Sequence, residues 1–476
     1  MSATSSSPVS SHREHARSPQ PHRWWLLGLL SAAQFMLVLD VTVVNVALPD
    51  ITADLTLHQN VVPWVLTAYT VTFGGLLLLG GRAADMFGAR RMLLSGLVIF
   101  VVASLLTGLA PGATTLLAGR AAQGIGAALM SPAALSVVTT SFDGKDRTRA
   151  LGVWAAIGGA GSALGVLLGG LLTSGPGWRW VFFINVPTGL VLLALLPLAL
   201  PALRRHRAGG AVDTAGAITV TVATGAAIYG LINAGTHGWL AVSTLTPLAT
   251  AVLLYAVFVA VERVATTPLM PLPVLTRRPV VAGALLMLVA TGLLVGAFFL
   301  GSFYLQRLHG YSAAGTGLAF LPIALGTLIG AHSGSRAATS VDRRVLAAAS
   351  LAISATGCGA AAAAGGPVLL VVGLSVAAVG VGGALVTAVN AALSAVTPNE
   401  AGARSGIVNT FHELGGALGV AVLSTIAAGD VAGELTAAGI ARALTVGAVA
   451  AGIAALLGAL LVPAGVASAE TPRPIH

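Results

Sequence analysis

One feature constrains this chain more than any other: apolar runs of about 20 residues return along almost its whole length, divided by short polar segments. A helix of that length reaches across the hydrocarbon of a bilayer. Setting apolar runs against polar punctuation places spans near 24–48, 61–80, 91–110, 115–138, 149–173, 180–200, 212–234, 243–263, 280–305, 312–333, 345–364, 367–390, 402–427 and 438–463. Composition agrees, since a chain of 476 residues that is 56% hydrophobic and only 8% charged has no polar surface to offer water. The expected fold class is an all-α polytopic membrane protein with 14 transmembrane helices.

The net charge of +9 does not point to nucleic acid, because the basic residues are scattered between apolar runs instead of gathered on one surface. Topology accounts for them. All but four of the 24 Lys and Arg residues fall on segments that an even span count places on the side of the termini; the four are Arg120, Arg179, Arg307 and Arg442. Cytoplasmic segments carry such an excess, so both termini are expected in the cytoplasm. Lys145 is the only lysine in a background rich in Ala and Gly, as in the products of GC-rich bacterial genomes, and the expected location is a bacterial cytoplasmic membrane. Residues 1–23 are rich in Ser, Pro, His and Arg and read as a disordered tail. The apolar stretch that follows passes Asp40 to about Leu48 without a small-residue cleavage site, so it is read as the first membrane helix. Cys358 is the single cysteine, which rules out an intrachain disulfide and a thiolate metal cluster.

Internal repetition orders the spans. GRAADMFGARRML from Gly81 and GSRAATSVDRRVL from Gly334 share Gly, Ala, the Arg-Arg pair and Leu in register, and they lie eight spans apart. Two six-helix halves alone would put them six apart. The simplest division is therefore a tail at 1–23, six helices at 24–200, two inserted helices with linkers at 201–278, six helices at 279–464 and a tail at 465–476.

Five blocks, in order, carry a resemblance: LDVTVVNVALPDI (39–51), GGRAADMFGARRML (80–93), GRAAQGIGAALMSPA (119–133), WRWVFFINVPTG (178–189) and FYLQRLHGYSAAGTGLAFLP (303–322). From about residue 25 to 463 the chain resembles the fourteen-span drug:proton antiporter family of the major facilitator superfamily. The resemblance implies a major facilitator fold of six, two and six helices, working as a monomer without a cofactor. It also implies export of hydrophobic drugs or antibiotics in exchange for protons by alternating access. A proton-linked importer or an exporter of a single metabolite on the same fold is the alternative. The second block matches the superfamily's gating loop, here Gly81, Asp85, Gly88, Arg90 and Arg91, but Met86 and Ala89 stand where basic residues are usual. In the fifth span Val166 occupies the position of the family's proline.

Ionisable groups at membrane depth are costly and normally face a cavity or a partner. Asp40 in the first span, Arg120 in the fourth and Glu413 in the thirteenth stand out. For Asp40 two readings are open: a structural ion pair that orients helix 1, or a carboxylate that takes a proton in a poorly hydrated cavity and yields it when a cation or Arg arrives. Arg120 matches the superfamily's coupling residue and is the candidate partner. Gln123 and Asn45, from the same two motifs, join the coupling and substrate candidates. Glu413 is read as coupling or substrate contact, as an interhelical hydrogen-bonding group while protonated, or as a residue nearer the water than the span boundaries place it. His412 beside it is expected to pack. Other chemistries fail on the residues: Gly416 stands where a zinc protease needs its second His, and Lys145 lies in FDGKDR, which is no phosphate-binding loop. An enzyme is not expected; the expected partners are a small hydrophobic substrate, protons and the lipid bilayer, with no nucleic acid and no metal.

Overall fold

A computed structural model describes residues 22–58, 61–142, 144–200, 213–265, 272–394, 401–428 and 435–465. The expected tails, apart from residues 22, 23 and 465, and the linker arginines Arg204, Arg205 and Arg207 lie outside them. The first group of helices comprises α1 (His22–Asp54), α2 (Val62–Phe87), α3 (Ala89–Gly108), α4 (Ala113–Ser141), α5 (Gly144–Ser174), α6 (Trp180–Phe183) and α7 (Asn185–Ala199). Then come α8 (Thr214–His237), α9 (Val242–Val264) and the short α10 (Leu272–Leu275). The second group comprises α11 (Arg278–Phe303), which runs on into a π-helical turn (Tyr304–Leu308), α12 (Ala313–Ala337), α13 (Arg343–Ala362), α14 (Pro367–Ala392), α15 (Ala401–Ala428) and α16 (Ala437–Leu461).

Among the described residues eleven helical segments are long and apolar enough to cross a membrane, and shorter apolar stretches lie at Val62–Leu77, Leu164–Ser174 and Ala215–Ala227. Length and apolarity alone therefore give eleven where fourteen are expected. The three shorter stretches fall in α2, α5 and α8 and each adjoins residues whose side chains lie outside the described ones; α2 also runs past its apolar part into GGRAADMF. The first span is likewise longer than its apolar run, passing Pro49 to end at Asp54. Its β-branched stretch, VTVV, would suit a strand in water; in lipid the backbone must satisfy itself, and Thr42 and Thr52 fold their hydroxyls back onto carbonyls one turn earlier.

The two groups repeat their packing. In the first, α2 and α3 both lie on α4; in the second, α12 and α13 both lie on α14. Small residues set these crossings, because without a hydrophobic drive in lipid helices hold together by close backbone approach. Gly80 of α2 sits on the carbonyl of Ala128 in α4, and Gly330 of α12 sits on that of Val379 in α14, each with no room for a Cβ. The groups meet along two seams, α5 against α12 and α2 against α15. α8 packs on both α2 and α15, and Thr221 Oγ1 donates to Gly75 O at 2.7 Å. Among the described residues α9 packs chiefly on α8, with a smaller contact to α10, and it is the least buried of the long apolar helices.

Helix α5 is continuous through Val166, which is fully buried, and the Val166 carbonyl abuts Gly317 of α12. With valine in the place of the family's proline the backbone N–H is kept, and the helix runs on through a close contact there.

Candidate functional site

The site begins with two residues three apart on α4. Arg120 and Gln123 share a helix face, and that face is turned into the interior of the first group, toward α1. Arg120 Nη1 reaches Asp40 Oδ2 at 2.5 Å, a salt bridge with both side chains essentially inaccessible, at 1% and 0%. Gln123 Nε2 donates to Asp40 Oδ1 at 3.0 Å, and Arg120 Nη1 donates to Gln123 Oε1 at 2.9 Å. Three of the five coupling and substrate candidates, Asp40, Arg120 and Gln123, therefore meet.

Two helices that the sequence did not nominate complete the network. Asn185, the first residue of α7, donates to Asp40 Oδ1 at 2.8 Å, and Ser104 of α3 accepts from Gln123 Nε2 at 2.8 Å. Arg120 Nε donates to the carbonyl of Val65 in α2 at 2.9 Å. The guanidinium carbon lies 4.7 Å from the Tyr69 ring centre and 5.9 Å from that of Phe182. Asp40 thus accepts on both oxygens, from a guanidinium and two amides. A buried charge is tolerable only with such a complement, and removing one partner of a buried pair costs about 3–5 kcal/mol. Electrostatically the cluster is one carboxylate and one guanidinium, dry and tied to α1, α2, α3, α4 and α7.

Glu413 stands apart. It projects from α15 at the α2 seam, where Gly74 leaves it room: a Cβ at 74 would lie 2.7 Å from the Glu413 Cβ. It is half-buried, and it makes no hydrogen bond or ion pair with another described residue. Tyr69 lies within electrostatic reach of both Asp40 and Glu413, and its buried hydroxyl has no hydrogen-bond partner among the described residues. His412, next in sequence to Glu413, is turned to α11, with Nδ1 3.1 Å from Thr291 Oγ1 and 3.4 Å from Met287 Sδ.

Asn45 does not join the network. Its Nδ2 donates to Val41 O at 2.9 Å, one turn back along α1, and its Oδ1 is buried without a partner among the described residues. The expected gating loop is mostly helix. Gly81 lies within α2, near Pro132 of α4, and only Gly88, at φ 95°, breaks the chain before α3. The apolar run ends at Leu79, but Arg and Ala prolong a helix readily, so α2 outlasts it to Phe87. Arg90 donates to the carbonyls of Pro197 at 3.0 Å and Leu200 at 3.3 Å, pinning the start of α3 to the end of α7. Arg91 is exposed, and the Asp85 side chain lies outside the described residues.

The same device recurs in the second group. Arg343 and Arg344, the counterparts of Arg90 and Arg91, donate through Nε to Gly465 O at 3.1 Å and Val462 O at 2.9 Å, just past the end of α16. Asp342 caps α13 through Arg344 N at 2.8 Å and also accepts from Gly465 N at 2.8 Å. These hydrogen bonds hold its carboxyl below the ordinary carboxylate range. Asp213 caps α8, and Glu262 is buried near Gly216 at the foot of the α8–α9 hairpin.

The sequence profile described as the Major Facilitator Superfamily matches residues 30–420. The puromycin resistance protein pur8 of Streptomyces alboniger is 38% identical over 441 residues, covering 90% of this chain and 87% of that one. The cephamycin export protein CmcT of Amycolatopsis lactamdurans is 38% identical over 422 residues, covering 86% of each. Among solved structures, a bacterial homologue of the human lysosomal transporter Spinster superposes with a TM-score of 0.64 at 17% identity, covering 93% of this chain and 97% of that one. The POT family transporter PepTSo gives 0.66 at 16% identity, covering 93% and 98%. A profile spanning most of the chain, relatives that are transporters and not enzymes, and a shared helical fold lead to one statement: the chain belongs to the Major Facilitator Superfamily.

Proposed function

We propose that this protein exports hydrophobic drugs or antibiotics from the cytoplasm of a bacterium in exchange for protons, by alternating access across the cytoplasmic membrane. The full proposal has fourteen spans as six, two and six helices, a single chain as the working unit, and both termini in the cytoplasm. That orientation makes the ends of α1 and α5 and the start of α12 external. The substrate class is supported by the relatives, whose names record puromycin resistance, cephamycin export, and tetracenomycin C resistance and export.

The observation that carries the coupling is the dry ion pair. Asp40 and Arg120 neutralise each other away from water, so a proton arriving on Asp40 would leave Arg120 buried without its counter-charge. The helices then have reason to rearrange, and an element with two arrangements is what a transport cycle requires. Gln123 holds both partners in register. Glu413 supplies a second carboxylate, unpaired and at a seam, where substrate or a proton can be met. Asn45 is a substrate contact in the state where its free carbonyl is uncovered, and Arg90 and Arg91 with Gly81, Asp85 and Gly88 stabilise one state from the cytoplasmic side.

Purified protein in proteoliposomes tests this. Asp40→Asn keeps the shape and removes the titration, so substrate-driven proton release should disappear while substrate binding persists. Residual coupling would shift the role to Glu413, with Glu413→Gln then the more damaging. Proton release at the wild-type rate in both variants and in the double variant would remove both carboxylates from the mechanism.

A further inference from the structure

The block FYLQRLHGYSAAGTGLAFLP spans the end of α11 and the start of α12. Its first residues form the π turn Tyr304–Leu308 that ends α11, a rare geometry concentrated at functional positions. The turn is closed by Tyr311 N donating to Leu305 O at 2.9 Å, with Gly310 at φ 69°. Two side chains leave it for the other group of helices. Gln306 Nε2 donates to the carbonyl of Val46 in α1 at 2.8 Å and to Ser302 Oγ at 3.1 Å, which uses both of its hydrogens and fixes the amide. Arg307 Nη2 donates to the carbonyl of Pro49, also in α1, at 2.9 Å.

The placement of these bonds matters more than their number. Three hydrogen bonds between described residues join the first group to the second: the two above and Ala314 N to Ser174 Oγ at 2.8 Å. All three lie at the face assigned above as external. Beside them the α5–α12 seam is closed backbone to backbone, with Gly170 on the Ala313 carbonyl and Gly317 on that of Val166. On the opposite face, ties between described residues that stay within a group are Arg23 with Asp146, Arg90 with α7, Arg343 and Arg344 with the end of α16, and Arg278 with the carbonyls of Leu460 and Leu461.

We infer that Gln306 and Arg307 are positioning residues that latch the external face shut by gripping main-chain carbonyls of α1. The inference rests on the alternating-access reading and adds the residues that set its balance. The acceptors are backbone atoms and survive any substitution in α1, so the strength of the latch resides in its two donors. Losing both should open the external face about tenfold more often, the effect of one or two lost hydrogen bonds on an equilibrium.

The test uses the full chain with Cys358 replaced by Ser and one reporter, Thr173→Cys. Thr173 is buried on the α12-facing stripe of α5 with Val166 and Gly170, and its hydroxyl has no partner among the described residues to lose. Labelling of intact cells by an impermeant thiol reagent should rise about tenfold in the Gln306→Ala, Arg307→Ala double variant. Arg307→Lys alone, which keeps a cationic donor, should stay near the parent rate. Unchanged labelling in the double variant overturns the inference. So does increased labelling accompanied by a matching fall in the melting temperature of the purified protein, which would mark general loosening. A Ser174→Cys, Ala314→Cys pair separates this from the broader reading. A disulfide there should halt export reversibly; export through the closed disulfide sinks alternating access itself, and with it the latch.

Discussion

At Arg120 a guanidinium is asked to do four things: neutralise Asp40, donate to Gln123, donate to the Val65 carbonyl and lie over Tyr69. A lysine can supply the charge but not the planar fork that makes these contacts together. Arg120→Lys should therefore insert and fold, yet lower efflux of a fluorescent substrate by about tenfold or more; efflux near the parent level would show that charge alone suffices. Tyr69→Phe should leave thermal stability within about 0.5 kcal/mol, since the hydroxyl has no partner here to lose. If efflux then fails, the hydroxyl works in another conformation. Asp40, Arg120 and Gln123 were legible in sequence because polar side chains inside apolar runs draw attention. Asn185, Ser104 and Tyr69 were not, although Asn185 stood in a quoted block. Small polar residues are common in membrane helices, and a linear sequence does not say that α3 and α7 flank α1 and α4.

Helices are legible in the apolar runs only as far as hydrocarbon extends. Spans 1 and 2 were placed correctly but ended early, because α1 continues to Asp54 and α2 to Phe87 on residues that no longer need lipid. The sixth span runs on through Ile184, whose φ of −60° and ψ of −28° keep α6 and α7 in one apolar segment, Trp180–Ala199. The repeat of the Arg-Arg segment was visible, and its meaning was not: in each group it ties the third helix to the last. Asp342 makes that tie testable by pH. Its carboxyl is held low by the amides of Gly465 and Arg344, so the contribution is present above the ordinary carboxylate range near pH 4 and is lost as pH falls through the lowered value. The difference in melting temperature between the parent and Asp342→Asn should accordingly be constant from pH 7 to about 5 and shrink in more acid solution. A gap that persists there would assign the tie to shape instead of charge.

For the molecule as a whole, the sequence already pointed to the superfamily through its five blocks, and the profile over residues 30–420 bears that out. What the sequence did not contain is the seating of the α8–α9 hairpin, since nothing in two apolar runs says which neighbours they choose. On the proposed function, export from cells should stop when a protonophore collapses the proton gradient while ATP is maintained. Continued export of the same dye under those conditions would remove proton antiport.

The seating of α8 makes the two flanks of the protein unequal. On one side α5 and α12 meet hydrocarbon themselves, with Leu164, Leu171, Leu318 and Leu325 turned outward. On the other, α8 stands over the junction of α2 and α15, and α9 stands beyond it. A greasy molecule wandering in the leaflet therefore finds a bare suture along one edge and a screened one along the other. Among the described residues the α5–α12 seam is the one that faces outward uncovered, and Glu413 lies at the covered one.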